Sequence, residues 1–295
     1  MNLSTRQLKA FLALAQHRNF TRAAEQSNLS QPAFSSLISS LEKDAGVRLF
    51  DRDTRKVVLT AAGRRFEESA QRLLTDINAA ISELREGSVG AGNVSIAAMP
   101  SLSARALPPV IARLRRDEPG LSLALIDALP EQCLAMVRSA QVDFALTTVG
   151  AASAEFATEP FCSDEFYLVC RSDHPLAQRE SVDARELVDY PFVHFSQATR
   201  LRQQIDAAVH PRQMHAVMEI ERLESVRGMV ESGAGISLVP GLTLFHFDSA
   251  NIVTRPLCPP GITREICCVR LASRPLSPSA ALVWAAIRAA PPKHS

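Results

Sequence analysis

Small polar side chains recur along one face of a predicted helix near the start of the chain. The apolar residues of this segment follow a helical repeat and form one stripe: Ala33, Phe34, Leu37, Ile38 and Leu41. The opposite face carries Pro32, Ser35, Ser36 and Ser39, preceded by Ser30 and Gln31. Such a face can hydrogen-bond to base edges and lie close in the major groove of DNA. The alternative is a solvated helix face without function.

The residues around this helix predict a helix-turn-helix. Ser30 is expected to cap the helix by accepting a backbone N–H group, and Pro32 is tolerated in the first turn, where its missing N–H costs nothing. A break at residues 28–30 separates this helix from a shorter one upstream. The upstream helix contains Ala23 and Ala24, whose small side chains allow two helices to cross closely.

Residues 47–60 predict two short strands around a charged tip, which is the shape of a DNA-binding wing. The tip places Arg52, Arg55 and Lys56 where they would meet phosphates. Residues 1–65 carry eleven Lys or Arg and five Asp or Glu, hence a net charge of +6, whereas the rest of the chain carries −5. Only the basic first segment is therefore expected to contact nucleic acid.

Together these motifs resemble the N-terminal domain of LysR-type transcriptional regulators. The matching segments are RQLKAF at 6–11, NFTRAA at 19–24, LSQPA at 29–33, LE at 41–42, GVRLFDR at 46–52 and LTAAG at 59–63. The family usually carries a basic residue after the serine in the middle of the recognition helix, where this chain has Ser36. Serine discriminates weakly between bases, so Gln31, Pro32 and Ser35 are the better candidates for direct base contacts.

Residues 60–86 predict one long helix, capped by Thr60 and ended by Gly87. At ~1.5 Å per residue it would extend roughly 40 Å. Its apolar residues step by four and three, as in a coiled-coil seam: Phe66, Ala70, Leu73, Ile77, Ala80 and Leu84. We expect this seam to pair two copies of the chain, and the alternative is a helix packed on its own domain. A glycine-rich hinge follows at residues 88–93.

Beyond residue 93, predicted strands alternate with predicted helices, which indicates α/β units on a largely parallel sheet. The predicted strands are 94–98, 121–126, 142–147, 166–170, 192–195, 216–220, 236–239 and 266–271, and the predicted helices are 105–116, 131–140, 199–209, 225–231 and 278–290. The resemblance implies a two-lobed periplasmic-binding-protein fold for this body, with a cleft between two lobes that the chain crosses twice.

The 295 residues therefore divide into three predicted parts. A winged helix-turn-helix DNA-binding domain takes residues 1–59, a linker and dimerisation helix takes 60–87, and an effector-binding domain takes 88–295. Within the last part, lobe I takes about 93–160 and 268–295, and lobe II takes about 161–267.

Four loops follow predicted strand ends, which is where ligands of such sheets bind. We expect the effector to contact Pro100, Ser101, Leu102, Ser103, Leu129, Thr147, Thr148, Phe195, Ser196, Gln197 and Thr199. Two helix N-termini facing one cleft favour a negative charge, which predicts a small organic anion such as a carboxylate. The alternative is plain N-capping by the Ser and Thr residues. Arg200 and Arg202 could pair with this anion or be ordinary solvated arginines.

No nucleophile–base arrangement, cofactor motif or metal-ligand spacing is evident in the sequence, so no enzyme activity, cofactor or metal is expected. The six cysteines form no C-x-x-C pair and are expected to be reduced, buried and structural. The start of the chain does not resemble a secretion signal, and no apolar run approaches the ~20 residues that span a bilayer. These features predict a cytoplasmic, nucleoid-associated protein without membrane contact.

The resemblance implies a transcriptional regulator that binds double-stranded operator or promoter DNA as a homodimer or homotetramer and senses a small molecule. RNA polymerase is a further candidate partner. Two alternatives stay open on the sequence alone. One is a solute-binding protein or an enzyme on the same two-lobed fold, and the other is an architectural DNA protein with an empty sensor lobe.

Overall fold

Three helices and a two-stranded hairpin form the N-terminal unit, and a long helix leaves it. The computed structural model describes residues 3–53, 56–85, 92–150, 154–197 and 199–292. The N-terminal elements are α1 (Thr5–His17), α2 (Phe20–Gln26), α3 (Gln31–Ala45), β1 (Phe50–Asp53), β2 (Lys56–Leu59) and α4 (Ala61–Arg85). Strands β1 and β2 follow the three helices in the chain and pair antiparallel, as the strands of a wing do. The predicted winged helix-turn-helix is therefore confirmed.

A small aromatic core orients these elements. Phe11 of α1, Phe34 of α3 and Phe50 of β1 are buried together. Ser4 caps α1 in a capping box with Gln7, which fixes where the first helix begins. Ser30 occupies the N-cap position of α3, but its side chain makes no capping hydrogen bond, so that part of the prediction is wrong.

The apolar stripe of α3 is narrower than predicted. Phe34 is buried with the later members of the stripe, whereas Leu37 is half-buried and Ala33 is exposed. The ring of Phe34 meets that of Phe20 on α2 edge-on, with centroids 6.2 Å apart. This aromatic pair fills the space between the two helices and leaves the short side chain of Ala33 at its solvent edge.

Helix α4 begins as predicted, but its first turns pack inside the N-terminal unit. Thr60 Oγ1 accepts the Gly63 N–H at 2.9 Å. Ala70 is fully buried, and Phe66 packs edge-on against Phe11 with ring centroids 4.9 Å apart. The prediction that Ala70 faces a second copy is therefore wrong, because the core of the N-terminal unit encloses it, whereas Phe66 is half-buried and contacts α1 with part of its ring.

The later residues of the predicted seam are partly exposed to solvent where the structure describes their side chains. Leu73 is 41% exposed, and Ile77 is half-buried. Ile81, which the predicted seam omits, is 43% exposed. The side chains of Ala80 and Leu84 lie outside the described residues.

Two lobes and a pair of crossing strands make up the rest of the chain. Lobe I contains β3 (Gly92–Ala98), α5 (Leu107–Asp117), β4 (Leu121–Asp127), α6 (Pro130–Arg138), β5 (Phe144–Thr147) and α9 (Pro278–Arg288). Lobe II contains β7 (Pro191–Phe195), α7 (Arg200–Val209), β8 (His215–Ile220), α8 (Leu223–Glu231), β9 (Ser237–Pro240) and β10 (Ile252–Pro256), with 3-10 turns at Pro175–Gln178, Ala184–Asp189 and Gly241–Phe247. The crossing strands are β6 (Phe156–Arg171) and β11 (Thr263–Leu271).

The main sheet is mixed, so the prediction of a largely parallel sheet is wrong. Strands β4, β3 and β5 lie side by side and parallel, but β11 and β6 continue the sheet antiparallel. In lobe II, β9 and β10 also pair antiparallel with β6, whereas β7 and β8 pair parallel to each other. The reason is geometric: the chain leaves lobe I along β6 and returns along β11, so these two strands must run in opposite directions.

The crossing strands lose their regular register near the middle of the pair. Ile266 lies opposite Cys162 but Cys267 lies opposite Pro160, which leaves Phe161 without a partner and marks a bulge. The sequence pattern does not predict β10 or the first half of β6. Proline at 160 and a polar stretch mask the strand in that half of β6.

The predicted helix at 105–116 is divided. A π-helical turn at Leu102–Ala106 precedes α5, because Pro108 and Pro109 supply no N–H for regular helical bonding. Adjacent Cys267 and Cys268 face opposite sides of the sheet, as predicted. All six cysteines are free, but only Cys133, Cys170 and Cys268 are buried, and the other three are half-buried.

Candidate nucleic-acid interface and ligand cleft

The polar face of α3 is accessible along its length. The predicted contact residues Ser30, Gln31, Pro32, Ser36 and Ser39 are exposed, and Ser35 is half-buried. Lys43 is exposed at the far end of the same helix. The helix can therefore approach a groove without disturbing the core that its other face forms.

Hydrogen bonds hold α3 against the rest of the unit. Gln7 Nε2 on α1 donates to Ser40 Oγ at 3.3 Å. Glu42 Oε1 accepts the N–H groups of Leu49 and Phe50 at 2.8 and 3.0 Å. Because these two amides lead into β1, Glu42 fixes the wing relative to α3. The sequence identifies Glu42 only as part of a motif and does not show this role.

The basic residues of the wing lie mostly outside the described residues. Arg55 does so entirely, and for Arg52 and Lys56 only the backbone is described. Their backbones place Arg52 on β1 and Lys56 on β2, on either side of the wing's tip. Arg48, which directly precedes the wing, is an exposed cation that the sequence analysis did not select.

Three strand ends of lobe I lie side by side, at the edge of the sheet where the cleft is predicted. Ala98, the last residue of β3, pairs with Asp127 of β4 and with Leu146 of β5. The loops at 99–103, 128–129 and 147–148 therefore begin at adjacent points, as the sequence predicts. Within them Leu129 is 62% exposed, and Pro100 is also exposed. Thr148 is half-buried.

Several predicted ligand contacts point into the protein instead. Leu102 belongs to the hydrophobic core of lobe I and Phe195 to that of lobe II, so the prediction is wrong for both side chains. Ser101 and Thr147 are also buried. Ser103 is half-buried, and its Oγ has no hydrogen-bond partner among the described residues.

A buried ion pair lies directly behind these loops. Arg264 of β11 donates from Nε and Nη2 to Asp164 Oδ2 of β6 at 2.8 and 2.7 Å. Asp164 Oδ1 accepts the N–H of Leu242 at 2.9 Å, and Arg264 Nη2 lies 3.4 Å from Ser101 Oγ. The pair thus joins both crossing strands to the start of the π-helical turn and to lobe II. Sequence reasoning misses it because its partners are far apart in the chain.

In lobe II, the loop after β7 uses most of its polar groups internally. Thr199 Oγ1 donates to the Ser196 carbonyl at 2.8 Å and accepts the Arg202 N–H at 3.2 Å, which is N-capping of α7. Gln197 is exposed, and its Nε2 donates to Glu219 Oε1 at 3.1 Å. The capping interpretation of Thr199 therefore applies, and Ser196, which is half-buried, remains accessible.

Arg202 is tied to groups of its own lobe. Its Nε donates to Asp206 at 2.7 Å, and its Nη1 donates to Glu219 and to the Phe195 carbonyl at 3.2 and 3.3 Å. The fully buried His194 lies beside it, with Nδ1 accepting the Phe195 N–H and Nε2 3.1 Å from Asp206 Oδ1. Burial, and then the charge of Arg202, lower the pKa of His194 to about 4.

Arg200 reaches across the cleft. It is the first residue of α7 in lobe II, and its Nε donates to Oε1 of Glu131 in the first turn of α6 in lobe I at 3.0 Å. Its guanidinium also lies over Gly150, where an added Cβ would be 2.7 Å from both terminal nitrogens. The sequence singles out Arg200 but not Glu131, which is 69 residues away in the chain.

Comparison with known proteins matches both parts of the chain. Residues 5–64 match the bacterial regulatory helix-turn-helix protein family of the lysR type, and residues 87–292 match the LysR substrate binding domain. The chain belongs to the LysR family of transcriptional regulators. This LysR regulator accordingly combines an N-terminal DNA-binding domain with a C-terminal effector-binding domain.

Individual relatives resemble this LysR regulator over most of their length. It is 34% identical over 291 residues to the uncharacterized HTH-type transcriptional regulator YfeR of Shigella flexneri, and the match covers 98% of this chain and 94% of the relative. It is 30% identical over 253 residues to the DNA-binding transcriptional dual regulator OxyR of Escherichia coli K12, covering 82% and 80%.

Solved structures share the same fold. A full-length OxyR from Pseudomonas aeruginosa, carrying a cysteine-to-aspartate substitution, superposes with a TM-score of 0.78 at 24% identity, covering 98% of this chain and 95% of that one. Full-length CbnR, a structure determined with its target DNA, gives a TM-score of 0.71 at 20% identity, covering 98% and 100%. Among the described residues, none of the helices combines the length and apolar character that crossing a membrane requires.

Proposed function

We propose that this LysR regulator reads operator DNA through the N-terminal half of α3. The observation that carries the proposal is an accessible face of Gln31, Pro32 and small serines on a unit whose net charge is +6. Gln31 supplies the amide that pairs bidentately with adenine, and the serines allow close approach. Arg52, Arg55 and Lys56 of the wing, with Arg48 before it, would hold phosphates and position the helix.

The effector is proposed to be a small organic anion in the cleft between the lobes. Strand ends of lobe I and the start of α7 in lobe II face each other there, and Arg200 brings a positive charge between them. Exposed Leu129 and half-buried Thr148 and Ser196 supply apolar and polar contacts. An effector that binds one arrangement of the lobes better than another shifts the regulator toward it.

The regulator is proposed to act as a homodimer, the unit from which a tetramer would be built. Leu73, Ile77 and Ile81 lie four residues apart on α4, and each leaves part of an apolar side chain uncovered. A second copy of α4 would cover this stripe and set two copies of α3 on two half-sites of DNA.

Peroxide sensing through cysteines is not part of the proposal, although relatives are named hydrogen peroxide-inducible genes activators. A reactive sensor needs an accessible thiolate. Here burial raises the pKa of Cys133 and Cys170 to about 11 and that of Cys162 and Cys268 to about 12. Burial therefore disfavours the thiolate form of these four cysteines.

A mobility-shift titration of the full chain on the duplex that flanks its own coding region tests the DNA-binding step. If about six phosphates are contacted, affinity falls roughly a thousandfold between 50 and 200 mM salt. Gln31→Ala should weaken binding to the specific duplex by about tenfold and leave binding to random duplex unchanged. Gln16→Ala, at an exposed position of α1, is the matched control. Salt-independent binding, or equal losses on both duplexes, would contradict the proposal.

A further inference from the structure

Arg200 differs from its neighbours because its charged partner belongs to the other lobe. Arg202 is held by Asp206 and Glu219 within lobe II, and only 15% of its side chain is exposed. Arg264 is held by the buried carboxylate of Asp164. Arg200 pairs with Glu131, and both side chains reach solvent, at 36% and 71% exposure. Of these three arginines, Arg200 has the partner that a small anion can most readily replace.

The place of Arg200 on α7 also favours an anion. It is the first residue of this ten-residue helix, where the partial positive charge of the helix end opposes a cation. A negative group beside the guanidinium relieves that repulsion, and Glu131 supplies one here. Glu131 itself lies in the first turn of α6, so the dipole of α6 still stabilises its carboxylate after it leaves Arg200.

The guanidinium of Arg200 lies between Glu131 and Gly150 of lobe I. Its Nε donates to Glu131, while its two terminal nitrogens lie over Gly150, just beyond the end of β5. Glycine at this position is necessary for that approach, since a Cβ would clash at 2.7 Å. The fork of Arg200 therefore lies at the strand ends of lobe I, where a flat carboxylate can accept two parallel hydrogen bonds.

We infer that Arg200 recognises a carboxylate of the effector, and that Glu131 is an internal competitor which occupies the same guanidinium until the effector displaces it. The inference rests on the proposed function of the cleft. Glu131 and Arg200 join the two lobes directly in this structure. With the effector bound the lobes are joined through the ligand, so binding changes the contact between them.

The test measures carboxylate binding to the full chain and to variants of the pair. A panel of aliphatic and aromatic carboxylates, each with its neutral amide, is screened by thermal shift, and the hits are titrated by calorimetry. Arg200→Gln should weaken binding of a hit by at least about tenfold, and Arg200→Lys by less. Glu131→Gln should tighten it about two- to fivefold, because the competing ion pair is gone.

An exposed ion pair within lobe II serves as the control. Arg179 and Glu186 are 3.8 Å apart and comparably exposed, so Arg179→Gln and Glu186→Gln should leave the affinity unchanged. The inference is overturned if no carboxylate binds, if amides bind equally well, or if Glu131→Gln weakens binding. DNA mobility shifts on the same variants show whether DNA binding is intact, which separates the proposed regulator function from the role inferred for Arg200. If a neutral ligand still binds the Arg200→Gln variant, the proposed sensor function stands but Arg200 has no part in it.

Discussion

Asp164 and Arg264 form an ion pair that is almost completely enclosed where the crossing strands meet the cleft loops. Two charges are removed from water there. They compensate each other, and the Leu242 N–H donates to Asp164 while Arg264 donates to Ser101. A buried pair of this kind contributes little net stability compared with apolar residues, but loss of one partner is costly. The pair also links the two crossing strands to Ser101 and Leu242.

Replacing one member of this pair should therefore destabilise the chain much more than replacing both. Asp164→Ala leaves a buried guanidinium without its counter-charge and should lower the free energy of unfolding by about 3–5 kcal/mol. The double change Asp164→Leu with Arg264→Met should lose far less. Urea unfolding compares both variants with the wild type, and Glu186→Ala is an exposed-pair control expected to cost at most about 1 kcal/mol. Equal losses in the single and double variants would refute this account.

His194 should make stability depend on pH. In the folded chain its pKa is lowered from 6.5 to about 4, mainly by burial. Between these pH values the unfolded chain binds a proton that the folded chain does not. The contribution of His194 to the free energy of unfolding is therefore complete above pH 6.5. It falls by up to roughly 3 kcal/mol as the pH drops toward 4. Urea unfolding from pH 7 to pH 4.5 should show a smaller pH dependence in His194→Gln than in the wild type.

The matched control for this experiment is His215→Gln, because His215 is exposed on β8. The difference between the two variants isolates the effect of burial from the loss of an imidazole. A pH dependence that is the same in wild type and His194→Gln would show that His194 is not the buried neutral group described above.

At the scale of elements, the junction between the wing and α4 depends on a glycine. An added Cβ at Gly63 would lie 2.1 Å from the Leu49 carbonyl oxygen and 2.9 Å from Leu59 Cδ2. The first contact is with backbone, which cannot rotate away. The segment LTAAG at residues 59–63 therefore matches a close packing requirement, with Thr60 capping the helix and Gly63 letting it approach the wing.

Gly63→Ala should destabilise the N-terminal unit by at least about 1–3 kcal/mol, because the added methyl has no space. Gly228→Ala on α8 is the control, since nothing lies within 4 Å of its added Cβ. There the change should stabilise the helix by up to about 1 kcal/mol, in line with helix propensity. Thermal unfolding and DNA mobility shifts would show both effects. Unchanged stability of Gly63→Ala would contradict the close approach.

Sequence patterns predicted the elements better than the contacts between them. The repeat of α3 and the cap at Thr60 are local, so a few neighbouring residues determine them. The ring contact of Phe66 with Phe11 and the pairing of Glu131 with Arg200 join distant parts of the chain. No short pattern encodes such contacts.

At the scale of the whole molecule, sequence patterns do not specify the direction in which neighbouring strands of a sheet run. Alternating strands and helices predict an α/β body, yet the same alternation fits a parallel or a mixed sheet. The antiparallel pair of β6 and β11 follows from the chain crossing between lobes in both directions. The lobes and the cleft were predicted from the resemblance to LysR regulators. The charge difference between residues 1–65 and the rest of the chain was predicted from the residues themselves.

Joint action of two copies on DNA would depend on α4. Leu73 and Ile81 leave apolar surface on this helix, and a paired α4 would hold two recognition helices at a fixed separation. Leu73→Glu with Ile81→Glu would place like charges in that interface. The full-length variant should sediment as a monomer at concentrations where the wild type is a dimer.

The same variant should lose the affinity gained from a second half-site but keep contact with a single one. Mobility shifts on duplexes carrying one or two half-sites measure this, because linked binding makes the second contact intramolecular and raises avidity about 10²-fold or more. Ala281→Glu with Ala285→Glu, on the exposed face of α9, controls for the added charge. If the α4 variant remains dimeric and still distinguishes the two duplexes, pairing must use another surface, and the exposed stripe on α4 would have no part in it.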